Sequence, residues 1–157
     1  MGERAPGYEL PLLLFAAFRD AIDRAHADLA EHGHPDVRPM HGFVFQAIGT
    51  HGTTAVELAA RLGVTKQAAG KTITALERQG YLERAADPRD ARAKKVRLTA
   101  RGIEVLELSE RAFDAVQAQW AQAVGEQRLA DLREDLRTLA PGELFRLDAP
   151  GWFGTGR

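Results

Sequence analysis

Apolar residues recur at intervals of three and four along most of this chain, the spacing that places them on one face of a helix. In the first such segment the face is formed by Leu14, Phe18, Ala21, Ile22, Ala25 and Leu29. Glycine and proline, which break helices, interrupt the pattern. The predicted helices are Tyr8 to about Glu31, Pro39 to Ile48, Thr54 to Leu62, Thr65 to Gln79, and Thr99 to Leu139 with a break at Gly125.

Two of these helices form a helix-turn-helix that leads directly into a β-hairpin. Thr54 and Glu57 form a capping box at the start of the first helix, and Thr65 caps the second. Strands are predicted over Tyr81 to Ala86 and Lys95 to Thr99, joined by a turn from Asp87 to Lys94. The predicted fold is therefore mostly α with a small β-wing. A winged helix-turn-helix lobe over residues 37–102 is flanked by helices at 8–31 and 100–140, within one domain of residues 1–157.

The second helix of the pair has one apolar and one polar face. Ala69, Ile73 and Leu76 share the inward side, whereas Glu77 is the only acid on the helix. A glutamine has the amide geometry that reads adenine, lysines suit guanine edges or phosphates, and a glycine allows close backbone approach. An ordinary amphipathic helix is the alternative, and the flanking capped helix and hairpin favour DNA recognition. The outward residues are Lys66, Gln67, Gly70, Lys71, Thr74 and Arg78.

The turn of the hairpin is the second candidate DNA contact. Pro88 stiffens it, and Arg89 projects from its tip, where an arginine suits the negative potential of a narrow minor groove. Asp87 and Asp90 would be repelled by phosphate, so they are expected to pair with Arg92 or Arg84 and hold the shape of the loop. The alternative is an exposed turn whose ion pairs contribute little.

Charge supports the same region. The whole chain carries a net charge of −1, but residues 65–101 hold ten basic and four acidic side chains, a net +6, and the remainder carries −7. Such asymmetry predicts a cationic face on an acidic body. Charge runs are also common on solvated surfaces. The charge asymmetry supports DNA binding mainly because the positive residues lie on the helix and the hairpin already identified.

Composition limits the remaining classes. The chain has 157 residues and no cysteine, which excludes disulfides and thiolate metal sites. The apolar run from Leu10 to Phe18 is too short to span a bilayer, and no basic leader or cleavage site suggests a signal peptide. We therefore expect a cytoplasmic protein.

At these residues the chain resembles the MarR family of bacterial winged-helix transcription regulators. The resemblance covers Val37 to Gly102, and its most specific marks are Asp87-Pro-Arg89 with Arg92 and the segment from Leu76 to Arg84. It implies a homodimer, a palindromic operator, and repression that is relieved by a small phenolic or anionic ligand. It also implies recognition-helix contacts from Lys66, Gln67, Gly70, Lys71 and Thr74, and a wing contact from Arg89. The full predicted set of DNA contacts is Thr65, Lys66, Gln67, Gly70, Lys71, Thr74, Arg89, Arg92 and Lys94.

The amino-acid pattern favours a dimer independently of that resemblance. The first helix and the last two carry more apolar surface than a winged lobe of roughly 50 residues can cover. Two-fold pairing would bury this surface and set two recognition helices about one DNA turn apart, ~34 Å. The alternative is that these helices complete a monomeric core.

Ligand, metal and catalytic sites have weaker signals. Aromatic residues that could converge as an effector pocket are Phe15, Phe18, Phe45 and Trp120, with His41 as a handle for an anion, although aromatic stripes usually form core. The five histidines show no ligand pair at helical spacing, so no metal site or cofactor is expected. No nucleophile–base or paired-carboxylate arrangement indicates an enzyme.

Two functions remain at this stage. One is a ligand-responsive dimeric repressor, and the other is an effector-free architectural or protein-docking module that binds DNA. The operator, the effector, the direction of regulation and the role of the tail 143–157 stay open.

Overall fold

The computed structural model describes residues 5–142 and 144, without the side chains of residues 91 and 93. It confirms a mostly helical fold with a small β-wing. The tail beyond residue 142 therefore lies outside the described residues, apart from the exposed Leu144. The elements are α1 (Glu9–Glu31), α2 (Pro39–Ile48), β1 (Thr53–Thr54), α3 (Ala55–Leu62), α4 (Lys66–Arg78), β2 (Leu82–Asp87), β3 (Asp90–Leu98), α5 (Ala100–Val124) and α6 (Glu126–Leu139).

The helix-turn-helix is formed by α3 and α4, and its ends follow the local sequence. Thr54 Oγ1 accepts from Glu57 N at 3.2 Å, and Thr54 N donates to the Glu57 carboxylate at 2.9 Å, completing the capping box. Gly63 ends α3 with a left-handed φ of 66°, which glycine adopts without strain. Thr65 then caps α4 by accepting from Ala68 N at 3.1 Å. These local signals determine where α3 begins and ends and where α4 begins.

The wing differs from the sequence prediction in two respects. The predicted turn from Asp87 to Lys94 is wrong, because β3 already begins at Asp90 and the strands close around Pro88 and Arg89. In addition, β1 adds a third strand that pairs Thr53 with Val96, so the antiparallel sheet has the order β1-β3-β2. Both differences arise from pairing between strands. The segments involved are polar or short, so they lack the hydrophobic alternation from which a strand is predicted.

The core lies where the winged lobe meets α2 and the start of α5. The predicted inward face of α4 is fully buried there at Ala69, Ile73 and Leu76. In contrast, α6 has no buried residue, and the first turns of α1 expose large apolar side chains. The lobe is thus well packed, whereas the terminal helices leave apolar surface uncovered. Other buried residues of this core are Val44, Phe45, Ile48, Leu58, Leu62, Tyr81, Leu82, Val96, Leu98, Val105 and Leu108.

Candidate nucleic-acid interface

The outer face of α4 forms the wall of an open notch. The notch has a volume of about 570 Å³, and four of the predicted contact residues line it together. A Cβ at Gly70 would meet nothing within 4 Å, so the fold does not require glycine at this position. The missing side chain instead leaves the helix backbone approachable from outside. The lining residues are Gln67, Gly70, Lys71, Thr74, Ala75, Arg78 and Arg84.

Two arginines of this notch were absent from the predicted contact set. Arg78 lies one helical turn beyond Thr74, and the sequence placed it on the outward face of the helix but not among the contacts. Arg84 reaches α4 only because β2 returns beside the helix: its Nε lies 3.1 Å from Glu77 Oε2, and its Nη2 donates to Thr74 Oγ1 at 3.3 Å. Since Thr74 accepts this hydrogen bond, its own hydroxyl hydrogen can be donated outward. No sequence pattern relates Arg84 to Thr74.

At the wing tip, main-chain groups hold the two aspartates. Asp87 Oδ1 accepts from Arg89 N at 2.9 Å, and Asp90 Oδ1 accepts from Arg92 N at 2.9 Å. Of the two partners expected for these aspartates, Arg92 does bind Asp90, through its main-chain N–H, whereas Arg84 pairs with Glu77 instead. The side chains of Arg89 and Arg92 are exposed beside the turn.

All four acidic side chains of residues 65–101, here called the cationic segment, form an ion pair or a hydrogen bond. Glu77 pairs with Arg84, and Glu83 pairs with Arg97 Nε at 2.6 Å, while the two wing aspartates bind main-chain N–H groups. Thr65, Lys66, Gln67, Lys71 and Lys94 are exposed on the same segment, with Gly70 and Thr74 half-buried. The exposed cations outnumber the acids, and the acids are already paired. Such a surface attracts polyanions.

A separate cavity of about 560 Å³ lies among α1, α2, α5 and α6. Of the five predicted pocket residues, Phe18, Phe45 and Trp120 line it, but Phe15 and His41 are not among its lining residues. His41 lies in the first turn of α2, where its Nδ1 accepts from Arg38 N at 3.2 Å. Burial, followed by the charge of Arg38, lowers the pKa of His41. The sequence prediction of His41 as the anion handle of this cavity is therefore wrong.

The cavity has few polar groups. These are His26, Gln46, Ser109 and Gln117, and no lysine or arginine lines the cavity within the described residues. Burial lowers the pKa of His26, although a hydrogen bond with the backbone of Val37 opposes the shift. A neutral imidazole in an apolar wall does not attract an anion.

The described part of the chain offers neither a metal site nor a membrane span. Residues 5–142 and 144 contain no group of three or more histidine, aspartate or glutamate side chains arranged to hold a metal ion. Within the same residues, no helix has the length and apolar content needed to cross a bilayer.

Comparison with known proteins relates part of the lobe to one family. Residues 36–93 match the model of the MarR family, which confirms the resemblance seen in the sequence. FabT from Streptococcus pneumoniae, solved in complex with DNA, is 21% identical, covers 85% of this chain and 94% of its own, and has a TM-score of 0.71. Wild-type apo MarR from E. coli is 22% identical, with coverages of 88% and 100% and a TM-score of 0.63. A MepR variant from S. aureus bound to an oligodeoxyribonucleotide is 21% identical, with coverages of 83% and 94% and a TM-score of 0.58. No curated protein matches the chain.

Proposed function

We propose that this chain, whose winged lobe is that of the MarR family of DNA-binding transcription regulators, is a cytoplasmic homodimeric repressor of a palindromic operator. A small apolar effector is proposed to release it from DNA. The observation that carries the proposal is the notch on α4, where exposed cations and amide groups surround an approachable backbone at Gly70. The solved DNA complexes of FabT and MepR share this fold and support the same use of the lobe.

The proposed DNA contacts divide between groove and backbone. Helix α4 would enter the major groove, with Gln67 and Thr74 facing base edges and Lys66 and Lys71 facing guanine or phosphate. Arg89 and Arg92 would enter the minor groove from the wing tip. The N-terminal end of α4 at Thr65 and the wing residue Lys94 would contact phosphates.

Homodimer formation is proposed through the terminal helices. Leu10, Leu12 and Leu13 are 58–60% exposed on α1, and Leu139 at the end of α6 is 71% exposed. Exposed apolar side chains of this size on both helices favour an interface, and a second copy of the same chain is the partner that presents a matching surface. Two-fold pairing would also place two α4 helices at the spacing of one DNA turn.

The effector is proposed to be a neutral aromatic compound. The cavity of about 560 Å³ is within the range typical of small-molecule sites, and Phe18, Phe45 and Trp120 provide aromatic walls. With no cation lining it and the pKa of His26 lowered, the cavity suits a phenol better than a carboxylate. Matched phenols and benzoates in a thermal-shift assay test this choice: only the phenols should stabilise the protein and release it from DNA.

Selection of bound duplexes from a random pool tests the function itself. We expect inverted half-sites whose centres lie about 10 base pairs apart, and a protected footprint of one dimer on the selected site. Lys71→Ala should reduce recovery of the site, whereas Arg128→Ala on α6, outside the proposed interface with DNA, should not. Enrichment without any common sequence would favour the effector-free architectural module.

A further inference from the structure

A buried histidine that neither the DNA surface nor the apolar cavity uses lies at the junction of the lobe and the long helices. His34, in the link between α1 and α2, has a side chain that is only 1% exposed. Its Nδ1 lies 3.2 Å from the hydroxyl of Tyr81, which is three residues beyond the end of α4. Its Nε2 lies 3.3 Å from Glu104 Oε2 in the first turns of α5. One imidazole thus contacts both Tyr81 and Glu104, which are distant from it in the sequence.

The hydrogen bonds of Tyr81 determine which nitrogen of His34 carries the proton. The Tyr81 hydroxyl has one hydrogen, which it donates to Asp36 Oδ1 at 2.6 Å. Burial and this hydrogen bond raise the pKa of Tyr81 to about 12, and the same bond lowers the pKa of Asp36. The hydroxyl oxygen must then act as an acceptor toward its other neighbours, Arg101 Nη2 at 3.0 Å and His34 Nδ1. His34 Nδ1 is therefore the donor.

This assignment leaves the other nitrogen without a hydrogen. In a neutral ring with its proton on Nδ1, Nε2 is an acceptor that faces the carboxylate of Glu104, another acceptor. Nε2 is buried and has no hydrogen-bond partner, even though the carboxylate lies at ion-pair distance. A second proton taken up from solvent would convert Nε2 into a donor that can bind the Glu104 carboxylate.

We propose that His34 is a proton-operated latch between the α1–α2 link and α5. The charged groups that face it are Asp36, Glu104 and Arg101, so the cluster carries −1 with a neutral ring and zero after protonation. Proton uptake forms an Nε2–H···Oε2 bond to Glu104 while the Nδ1–H bond to Tyr81 persists. The protonated ring then joins the link to the long helix.

The latch lies close to the C-terminal end of α4. Tyr81 N donates to Leu76 O at 2.9 Å, so this residue continues the C-terminal end of α4. On the other side, a Cβ at Gly102 would lie 2.3 Å from Tyr81 O, which shows how closely α5 approaches it. His34 thus lies beside the place where the C-terminal end of α4 packs against α5.

Nitrogen-15 NMR of the histidine-labelled full chain tests the proton assignment. At pH 8 we expect the rarer neutral tautomer at His34, with a protonated Nδ1 and a bare Nε2. Glu104→Gln identifies the signals, because its exposed side chain can be exchanged without opening the core and only His34 should respond. A protonated Nε2 at pH 8 would overturn the proposal.

Thermal unfolding from pH 5.5 to 8 tests the latch. The melting temperature of the wild type should exceed that of Glu104→Gln by a few degrees at pH 5.5, and the difference should vanish or reverse at pH 8. Asp36 stays ionised and Tyr81 neutral throughout this range, because the pKa of Asp36 is lowered and that of Tyr81 is raised. His26 and His41 contribute equally to both proteins and cancel in the difference.

Glu107→Gln, a similarly exposed carboxylate on α5, is the control and should give a constant difference. A constant difference for Glu104→Gln as well would contradict the latch.

Discussion

The winged lobe and the terminal helices have opposite surface chemistry. In the lobe, the apolar residues of α4 are buried and the acids near it are engaged, which leaves exposed cations such as Lys71 and Arg89. The terminal helices also expose large apolar side chains, including Leu10 and Leu13 on α1 and Leu139 on α6, and α6 has no buried residue. The lobe thus buries its apolar residues within one chain and exposes cations, whereas the described part of the terminal helices leaves large apolar side chains exposed. The following substitutions separate these two roles.

The largest effect is expected from charges in the apolar surface of α1. Leu10 and Leu13 lie one turn apart, so Leu10→Asp/Leu13→Asp would place four carboxylates in a two-fold interface. Burial of each leucine contributes about 1.5–3 kcal/mol, and the double variant should therefore be monomeric and lose operator binding by more than about 100-fold. Analytical ultracentrifugation measures the first outcome and fluorescence anisotropy the second.

Val56→Asp is the matched control for this experiment. Val56 is 58% exposed, like the two leucines, but lies on α3 in the winged lobe. It should leave the dimer intact. A dimeric Leu10→Asp/Leu13→Asp protein would assign the interface to other residues.

Substitutions at Gln67 and Arg89 should have effects of intermediate size and different character. Gln67→Ala should relax base preference at one operator position by about 1–3 kcal/mol, since it removes a base-edge contact. Arg89→Ala should weaken binding to all sequences, because the wing responds to groove shape and charge. Affinities for a panel of point-mutated operators separate the two patterns. Equal and uniform losses for both variants would place Gln67 on phosphate.

A smaller effect is expected where the notch orients Thr74. Glu77→Gln weakens the ion pair that holds Arg84 against Thr74 Oγ1, while it removes a negative charge from the DNA-facing surface. We expect tighter binding to all duplexes, together with a loss of about 1 kcal/mol in preference at the base that Thr74 contacts. Glu83→Gln removes the same charge at the Arg97 pair and should tighten binding without changing preference. Indistinguishable preferences in the two variants would exclude an orienting role for Arg84.

Local signals in the sequence predicted the helix-turn-helix, because caps at Thr54 and Thr65 and the left-handed Gly63 act within a few residues. Contacts between distant segments were missed. Thr53–Thr54 is too short for a strand to be predicted, and it forms one only because β3 passes beside it. Arg84 joins the α4 notch for a similar reason.

The same limit applies to single side chains in the helical region. His41 was expected in the cavity as an anion handle, but its side chain is directed into the first turn of its own helix. His34 was considered only for metal binding, because a loop histidine shows nothing in sequence of the tyrosine and glutamate that approach it. Periodicity identifies a face of a helix, while the partner of that face depends on the packing of other elements.

The salt dependence of operator affinity tests most directly whether the cationic face of the lobe binds DNA. Each chain contributes a segment of net charge +6, and two copies would neutralise about 6–10 phosphates. Fluorescence anisotropy on the selected operator should therefore show affinity falling by roughly 10³–10⁵ between 50 and 200 mM salt, with a linear log–log plot. An affinity that is nearly independent of salt over this range would contradict the assignment of this face to DNA.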